Sequence, residues 1–446
     1  MAVLTSTYTT TDIRNLALVG HAGSGKTTLV ETLLARADGG VGSAERGQTL
    51  CDFTDEERQH GQSLYSHLVH MDIQAKHINL IDTPGTPDFT GHAVSVFPAV
   101  ETVAVVVNAQ AGVQSVTRRL MERAARRKLC RMIVVNKIDA ENVDLAQLLA
   151  SLRETFGGVV LPINLPCDHG KGVIDCFKQT QGDSDLGPVA DFHTAIVDQV
   201  VEVDEDLMEL YLEQGEVTPE QLHDPFEKAL REGHLIPVCF TAGQPHDGSD
   251  PVGIDGLLDL LVNLAPSPLE GNPRPFVRGS DLDHELHFDP DADQHVIAHV
   301  FSVRVDPFVG KLACFRVHQG TVTPDSQLFI DDVRTGESKK PFKVGHLFKL
   351  QGKEHIEIER AIPGDLAAVA KVEEIHYDAV LHDSHDEDNL HLRPIRLPEP
   401  MSGLAISPKQ RGDEQKIADA FAKMQEEDPT LKITRDQSTH ETVIHG

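Results

Sequence analysis

The sequence predicts an α/β fold: a P-loop G domain with an inserted subdomain, followed by an antiparallel β-barrel and a partial α/β sandwich (α+β) domain. Short apolar runs of the buried parallel-strand type recur at Leu16–Val19, Ile78–Ile81, Val103–Val107, Met132–Val135 and Pro237–Phe240, separated by helix-like or loop-like stretches. That rhythm belongs to a doubly wound sheet. A Pro-rich joint, Pro266 to Pro275, interrupts it where the expected helix Ile254–Leu264 stops. Beyond the joint come the alternating segments His295–Val305, Lys311–Gln319, Gln327–Ile330 and Leu366–Val372, joined by Gly, Pro and Asp turns, the pattern of a small antiparallel barrel.

A second Pro-rich joint, Pro394 to Pro400, precedes a strand at Ser402–Ile406, a helix from about Asp413 to Glu427 and a strand near Lys432–Arg435. We place the nucleotide domain at residues 1–268, with its insertion at about 155–232, the barrel at 276–394 and the partial third domain at 398–446. A chain of 446 residues has room for about three such domains, each with its own core.

The net charge of −30 repels phosphate backbones as a whole, so a DNA-binding protein is not expected and any RNA must be met through local basic patches. One basic run exists, Arg118, Arg119, Arg123, Arg126, Arg127, Lys128 and Arg131, interleaved with Leu120, Ala124 and Leu129 at helical spacing; we read it as the solvated face of a helix. The six cysteines stand far apart, without zinc-site spacing, and read as reduced, mostly buried thiols. No apolar run is long enough to span a membrane and Met1 to Thr11 is too polar for a secretory signal, so a cytoplasmic protein with no membrane partner is expected; a monomer is expected as well. The Asp-, Glu- and His-rich stretches Asp281–Asp293 and His382–His391 read as solvated barrel loops, and no metal is assigned to them.

The chemistry-bearing signal is Gly20-His21-Ala22-Gly23-Ser24-Gly25-Lys26-Thr27, a complete GxxxxGK(S/T) loop between an apolar strand and a helix that begins near Thr28. Its backbone amides turn inward around phosphates, Lys26 reaches the β and γ phosphates, and Thr27 offers a hydroxyl to Mg²⁺. After the strand Met132–Val135, Asn136-Lys137-Ile138-Asp139 sits at the carboxyl edge of the sheet. A carboxylate at Asp139 accepts from both guanine donors, N1–H and N2–H₂, whereas adenine has no such pair, which selects GTP and GDP. Between the two motifs, Asp82-Thr83-Pro84-Gly85 follows the strand Ile78–Ile81; Asp82 would hold Mg²⁺ through water and the Gly85 amide would sense the γ-phosphate. Thr241 and Ala242 follow the last apolar strand, where the Ala242 amide would reach guanine O6.

These residues resemble elongation factor G. The resemblance is carried by Asn15 to Thr28, Asp82 to Phe89 and Val134 to Asp139, by the long interval from Asp139 to Thr241, by Asp306 to Lys311 and Phe315 to Gly320, and by Pro400 to Lys409 and Glu426 to Leu431. It implies a GTPase that acts on the ribosome in translocation or recycling, with GTP, GDP and Mg²⁺ as ligands and ribosomal RNA and proteins as partners. The alternative is a GTP-dependent ribosome-binding regulator or ribosomal-protection type factor. The resemblance also implies a third domain continuing past Gly446 and two more beyond it, so a truncated chain is expected.

Three positions depart from that family's pattern. Gly23 stands where Asp is usual, His60-Gly61-Gln62-Ser63 where Arg-Gly-Ile-Thr is usual, and Thr86 where a His follows the DTPG turn. Ser63 keeps a hydroxyl for Mg²⁺. Thr86 lacks the imidazole that orients the attacking water in translational GTPases. Either hydrolysis is slow or differently arranged in a specialised paralogue, or a neighbouring group such as His60, or backbone and RNA contacts, take over; Thr86 and His60 are the candidate catalytic positions.

Overall fold

Strand β1, Ile13–Val19, is buried along its whole length, as a central strand covered on both faces must be. The structure, a computed structural model, describes residues 8–37, 49–215, 217–306, 309–332, 337–338, 341–408, 410, 412–437 and 441–446. Pro307, Phe308 and Lys409 of the quoted motifs, and the start of the expected polar N-terminus, lie outside the described residues.

After β1 come α1 (Lys26–Ala37), α2 (Asp55–His60), β2 (His67–Ile73), β3 (Lys76–Asp82), α3 (Thr90–Ser95), β4 (Thr102–Asn108), α4 (Ser115–Arg126), β5 (Cys130–Asn136) and α5 (Leu145–Phe156). The insertion holds β6 (Val160–Pro162), β7 (Asn164–Cys167), β8 (Gly172–Asp175), β9 (Asp183–Ser184), β10 (Gly187–Pro188) and helices α6 (Val189–Val201), α7 (Glu205–Gln214) and α8 (Pro219–Glu232). The chain then returns through β11 (Ile236–Thr241) and α9 (Ile254–Asn263). One sheet runs β2-β3-β1-β4-β5-β11-β6, with only β2 antiparallel to its neighbour. The carboxyl ends of β1, β3, β5 and β11 therefore share one edge, the edge at which open α/β sheets bind ligands.

The second unit comprises β12 (Phe276–Arg278), β13 (Asp281–Leu286), β14 (Ile297–Asp306), β15 (Gly310–Gln319), β16 (Gln327–Asp332), β17 (Glu337–Ser338), β18 (Phe342–Lys343), β19 (Leu347–Gln351), β20 (Glu354–Glu357), β21 (Leu366–Ala370), β22 (Val380–His382) and β23 (Leu390–Leu392). Its main sheet is antiparallel and ordered β17-β16-β22-β14-β15-β21-β19-β20, with β18 paired to β16. The acidic stretch expected as loop differs: Asp281–Leu286 is a strand, antiparallel to β12, because backbone pairing alone holds a strand whose side chains are almost all solvated. The last segment is a three-stranded sheet, β24 (Gly403–Ile406), β26 (Thr442–His445) and β25 (Lys432–Arg435), with helix α10 (Glu414–Glu427).

A buried polar seam joins the first two units. The Asn15 amide donates to Glu101 and to the Gly364 carbonyl, and Asn79 donates to Asn15. Lys349 pairs with Asp365 at 2.9 Å while also meeting His77, and Arg316 pairs with Glu101. Buried charges are tolerated here because each has a partner. The third unit closes on the same region: Glu427 accepts from the Val305 amide at 2.7 Å and Glu426 pairs with Lys311 at 3.0 Å.

Buried histidines around this seam make the fold acid-sensitive. Burial, reinforced by Arg304, holds His67 down to about 4, and burial also lowers His77, where Lys349 adds to the effect, and His318. The unfolded chain takes up protons at the ordinary imidazole value near 6.5, which the folded chain refuses. Stability is therefore lost as pH falls from about 6.5 towards 4, by about 3 kcal/mol from His67 alone. Urea midpoints measured between pH 7.5 and 4.5 should fall steadily over that window; a flat profile would refute the assignment.

Candidate functional site

The loop after β1 wraps back over β4 and leads into α1, whose first turn carries Lys26, Thr27 and Thr28. Lys26 is buried, and its ammonium donates to the carbonyls of Gly20 at 3.0 Å and His21 at 3.4 Å. Burial lowers its proton affinity, opposed by the carboxylates of Asp82 and Asp52. Among the described residues, the Ser24 hydroxyl and His21 Nδ1 are buried without hydrogen-bond partners. Burial and then Lys26 lower the His21 pKa, so this ring is neutral at pH 7. Gly23, at φ +78°, has open space around it, so its left-handed backbone rather than crowding favours glycine there.

The turn after β3 packs directly against this loop. Gly85 accepts from the Ala22 amide at 2.9 Å, and a Cβ on Gly85 would stand 2.5 Å from the Lys26 ammonium. Asp82 is fully buried; burial pushes its carboxyl up to about 7 against the pull of Lys26 and Thr27. Its Oδ2 accepts from the Thr27 hydroxyl at 2.6 Å, and the Ser63 hydroxyl lies 3.1 Å from Thr27. The structure thus brings Thr27, Ser63 and Asp82 together, and leaves Asp82 Oδ1 buried without a partner among the described residues. Oxygen donors with one orphaned carboxylate oxygen suit a hard cation that keeps several waters, so these residues fit Mg²⁺.

Ser63 is held there by local capping chemistry. Thr54 and Glu57 form a capping box on α2, and Gly61 at φ +63° ends that helix. The other Glu57 oxygen accepts from the amides of Leu64 and Tyr65 and from His67 at 2.7 Å. Arg304 of the second unit donates to the Ser66 carbonyl at 2.9 Å and lies 3.3 Å from His67 Nδ1. Asp52, not singled out in the sequence, belongs here too: it hydrogen-bonds Ser63, burial raises its pKa, and its Oδ1 has no partner among the described residues.

On the other side of the loop, Asn136 donates to the Ser24 carbonyl at 3.1 Å and accepts from the amides of Lys137 and Gly243. The Thr241 hydroxyl reaches Asn136 at 3.4 Å. Lys137 donates to the Gly23 carbonyl at 2.9 Å, laying its chain across the edge of the loop. Asp139 accepts from the His246 amide at 2.7 Å through Oδ2, while its Oδ1 is buried without a partner among the described residues. One expectation needs correction: the Ala242 amide donates to the Val252 carbonyl at 3.0 Å, because Ala242 and Val252 form an antiparallel bridge.

The two candidate catalytic positions separate. Thr86 follows Gly85 directly, and its hydroxyl is buried without a hydrogen-bond partner among the described residues. His60 is exposed at the end of α2, and among the described residues no hydrogen bond or ion pair ties it to the loop.

A phosphate-loop strand–helix junction, an acidic strand end and an NKxD turn on one edge of a mostly parallel sheet define a P-loop G domain. Residues 11–267 match the family described as Elongation factor Tu GTP binding domain, 295–381 match Elongation factor G domain 2, and 397–446 match Elongation Factor G, domain III. A crystal structure of a protein from Thermus thermophilus matches with a TM-score of 0.81 and 33% identity over 98% of this chain, which spans 64% of that one. The chain belongs to the translation elongation factor GTPases and is elongation factor G-like. Among the described residues, no helix is long and apolar enough to cross a membrane.

Proposed function

We propose that the protein binds GTP and GDP with Mg²⁺ and acts on the ribosome as an elongation factor G-like GTPase of translocation or recycling type. The observation that carries this reading is the convergence, around one loop, of Lys26, the oxygens of Thr27, Ser63 and Asp82, and the unpartnered carboxylate oxygen of Asp139. Thr27, Ser63 and Asp82 would hold Mg²⁺, which would supply positive charge against that developing on the phosphates. Lys26 would exchange its two carbonyl partners for β- and γ-phosphate oxygens, and Asp139 would accept the guanine donors. Because Gly85 accepts from Ala22 beside Lys26, phosphate entry must displace the turn that carries Thr86. Nucleotide state is thereby coupled to the α3 region, where His92 faces Asp428 of the third unit at 3.6 Å.

An RNA-rich partner has support in a groove of about 1020 Å³ lined by Arg123, Arg126, Arg127, Arg274 and Arg396, a basic concentration in a chain of net charge −30, with Lys432 at its wall paired to Glu399. Part of that basic run is structural, since Arg127 covers the Phe97 ring and donates to the Val94 carbonyl. Co-sedimentation with ribosomes tests the reading. Binding should be strong with a non-hydrolysable GTP analogue, weaker with GDP, unaffected by ATP, and lost with rising salt. Pelleting that is indifferent to nucleotide would overturn it.

A further inference from the structure

The His-rich stretch that begins at the end of β22 reads as solvated loop in the sequence, yet folding brings an acidic residue from a separate strand against it. Antiparallel pairing of β16 with β22 sets Phe329 opposite His382 and Asp331 opposite Val380. His382 is buried, and its Nδ1 lies 2.8 Å from the Ser384 carbonyl, which places the proton of the neutral ring on Nδ1 and turns the Nε2 lone pair inward. Nε2 is 3.3 Å from Asp331 Oδ1 and 3.8 Å from Asp388 Oδ1, but is buried with no hydrogen-bond partner among the described residues. The ligand atoms of all three residues lie within 4.8 Å of one another.

We propose that Asp331, His382 and Asp388 form a binding site for a zinc-type divalent cation in the second unit. Two atoms about 2.1 Å from a common ion and 3.3 Å apart subtend close to the tetrahedral angle, so the Nε2 and Asp331 separation suits zinc. The supporting contacts are those a metal centre uses. A backbone carbonyl fixes the imidazole tautomer, the Leu390 amide donates at 2.9 Å to the second oxygen of Asp331, and Phe329 stacks on the His382 ring. Asp388 is partly exposed, which leaves an entry path and room for a water as fourth ligand. A mixed imidazole and carboxylate set favours zinc over the Mg²⁺ expected at Asp82. The ion would clamp β16 to the β22–β23 connection.

The test is zinc titration of the full chain, stripped over chelating resin and then saturated with GDP and Mg²⁺ so that the phosphate-loop site is filled. One zinc per chain should bind, raise the thermal midpoint, and be replaceable by Co²⁺ with tetrahedral visible absorption. Asp388→Asn, at the rim, should weaken zinc binding by about tenfold or more while leaving the fold intact, and His382→Gln should do the same. His385→Gln removes an exposed ring that lies 3.2 Å and 3.4 Å from the two Asp388 oxygens and packs on Phe329 but offers the ion no ligand atom of its own, and should stay within about threefold of the parent. Failure of the parent to bind zinc stoichiometrically, parent-like affinity in Asp388→Asn, or equal loss in His385→Gln would each overturn the site.

Discussion

Lys26→Ala should lower the affinity for GTP and GDP by about a hundredfold or more, since hydrogen bonds to charged groups contribute roughly 1.5–3 kcal/mol each and Lys26 is placed to make two. The ammonium is buried among the carbonyls of Gly20 and His21, with Asp82 and Asp52 as its acidic neighbours. Truncation removes the cation that α1 aims into the loop and leaves those carboxylates facing the phosphates uncompensated. Titration with a fluorescent guanine nucleotide, beside a circular dichroism spectrum showing an intact fold, reads the effect. A folded variant within threefold of the parent would dismiss the phosphate-loop role.

The second large effect concerns turnover. Thr86→His should raise ribosome-stimulated GTP hydrolysis by about 10²-fold, the lower end of what a positioned acid–base or orienting group contributes, with GTP affinity nearly unchanged. Thr86 sits next to Gly85, its hydroxyl is buried and unpartnered among the described residues, and it is too short to reach as an imidazole does. His60 is exposed at the end of α2 and, among the described residues, no hydrogen bond or ion pair holds it towards the loop. Single-turnover hydrolysis on ribosomes decides the matter. Rapid turnover by the unmodified protein would show that another group already orients the water. If Thr86→His alone is no faster, adding Gly23→Asp asks whether the missing carboxylate limits cation placement; that change carries some backbone strain at φ +78°.

The parts of the fold legible in the sequence are those in which one strand or one loop carries its own signal. Strands buried on both faces read as continuous apolar runs, so β1, β3, β4, β5 and β11 are visible there. Strand β2 is not, because the polar side chains of His67, His70 and Asp72 interrupt its pattern; His67 meets Glu57, Asp72 meets His77 on the neighbouring strand, and the backbone amide of His70 donates to Gln351. Strand β13 is hidden for the opposite reason: its charged side chains face solvent, and only its backbone is paired.

For the candidate site the same division holds. Gly20 to Thr28, Asp82 to Gly85 and Asn136 to Asp139 can be read from the chain because their chemistry depends on local order: a turn at a strand end, an amide row and one side chain. Asp52, Arg304 and the Glu57–His67 pair cannot, since no motif marks them: the first and last meet partners across a folded segment of about ten residues, and Arg304 reaches His67 from the second unit. The Ala242 amide likewise goes to Val252 through a bridge that no local motif encodes. Sequence alone thus determined which groups are offered to a guanine nucleotide. Tertiary structure decided how buried they are, which of their atoms remain unpartnered, and which carboxylates share a space, because burial and charge coupling depend on distances that only packing sets.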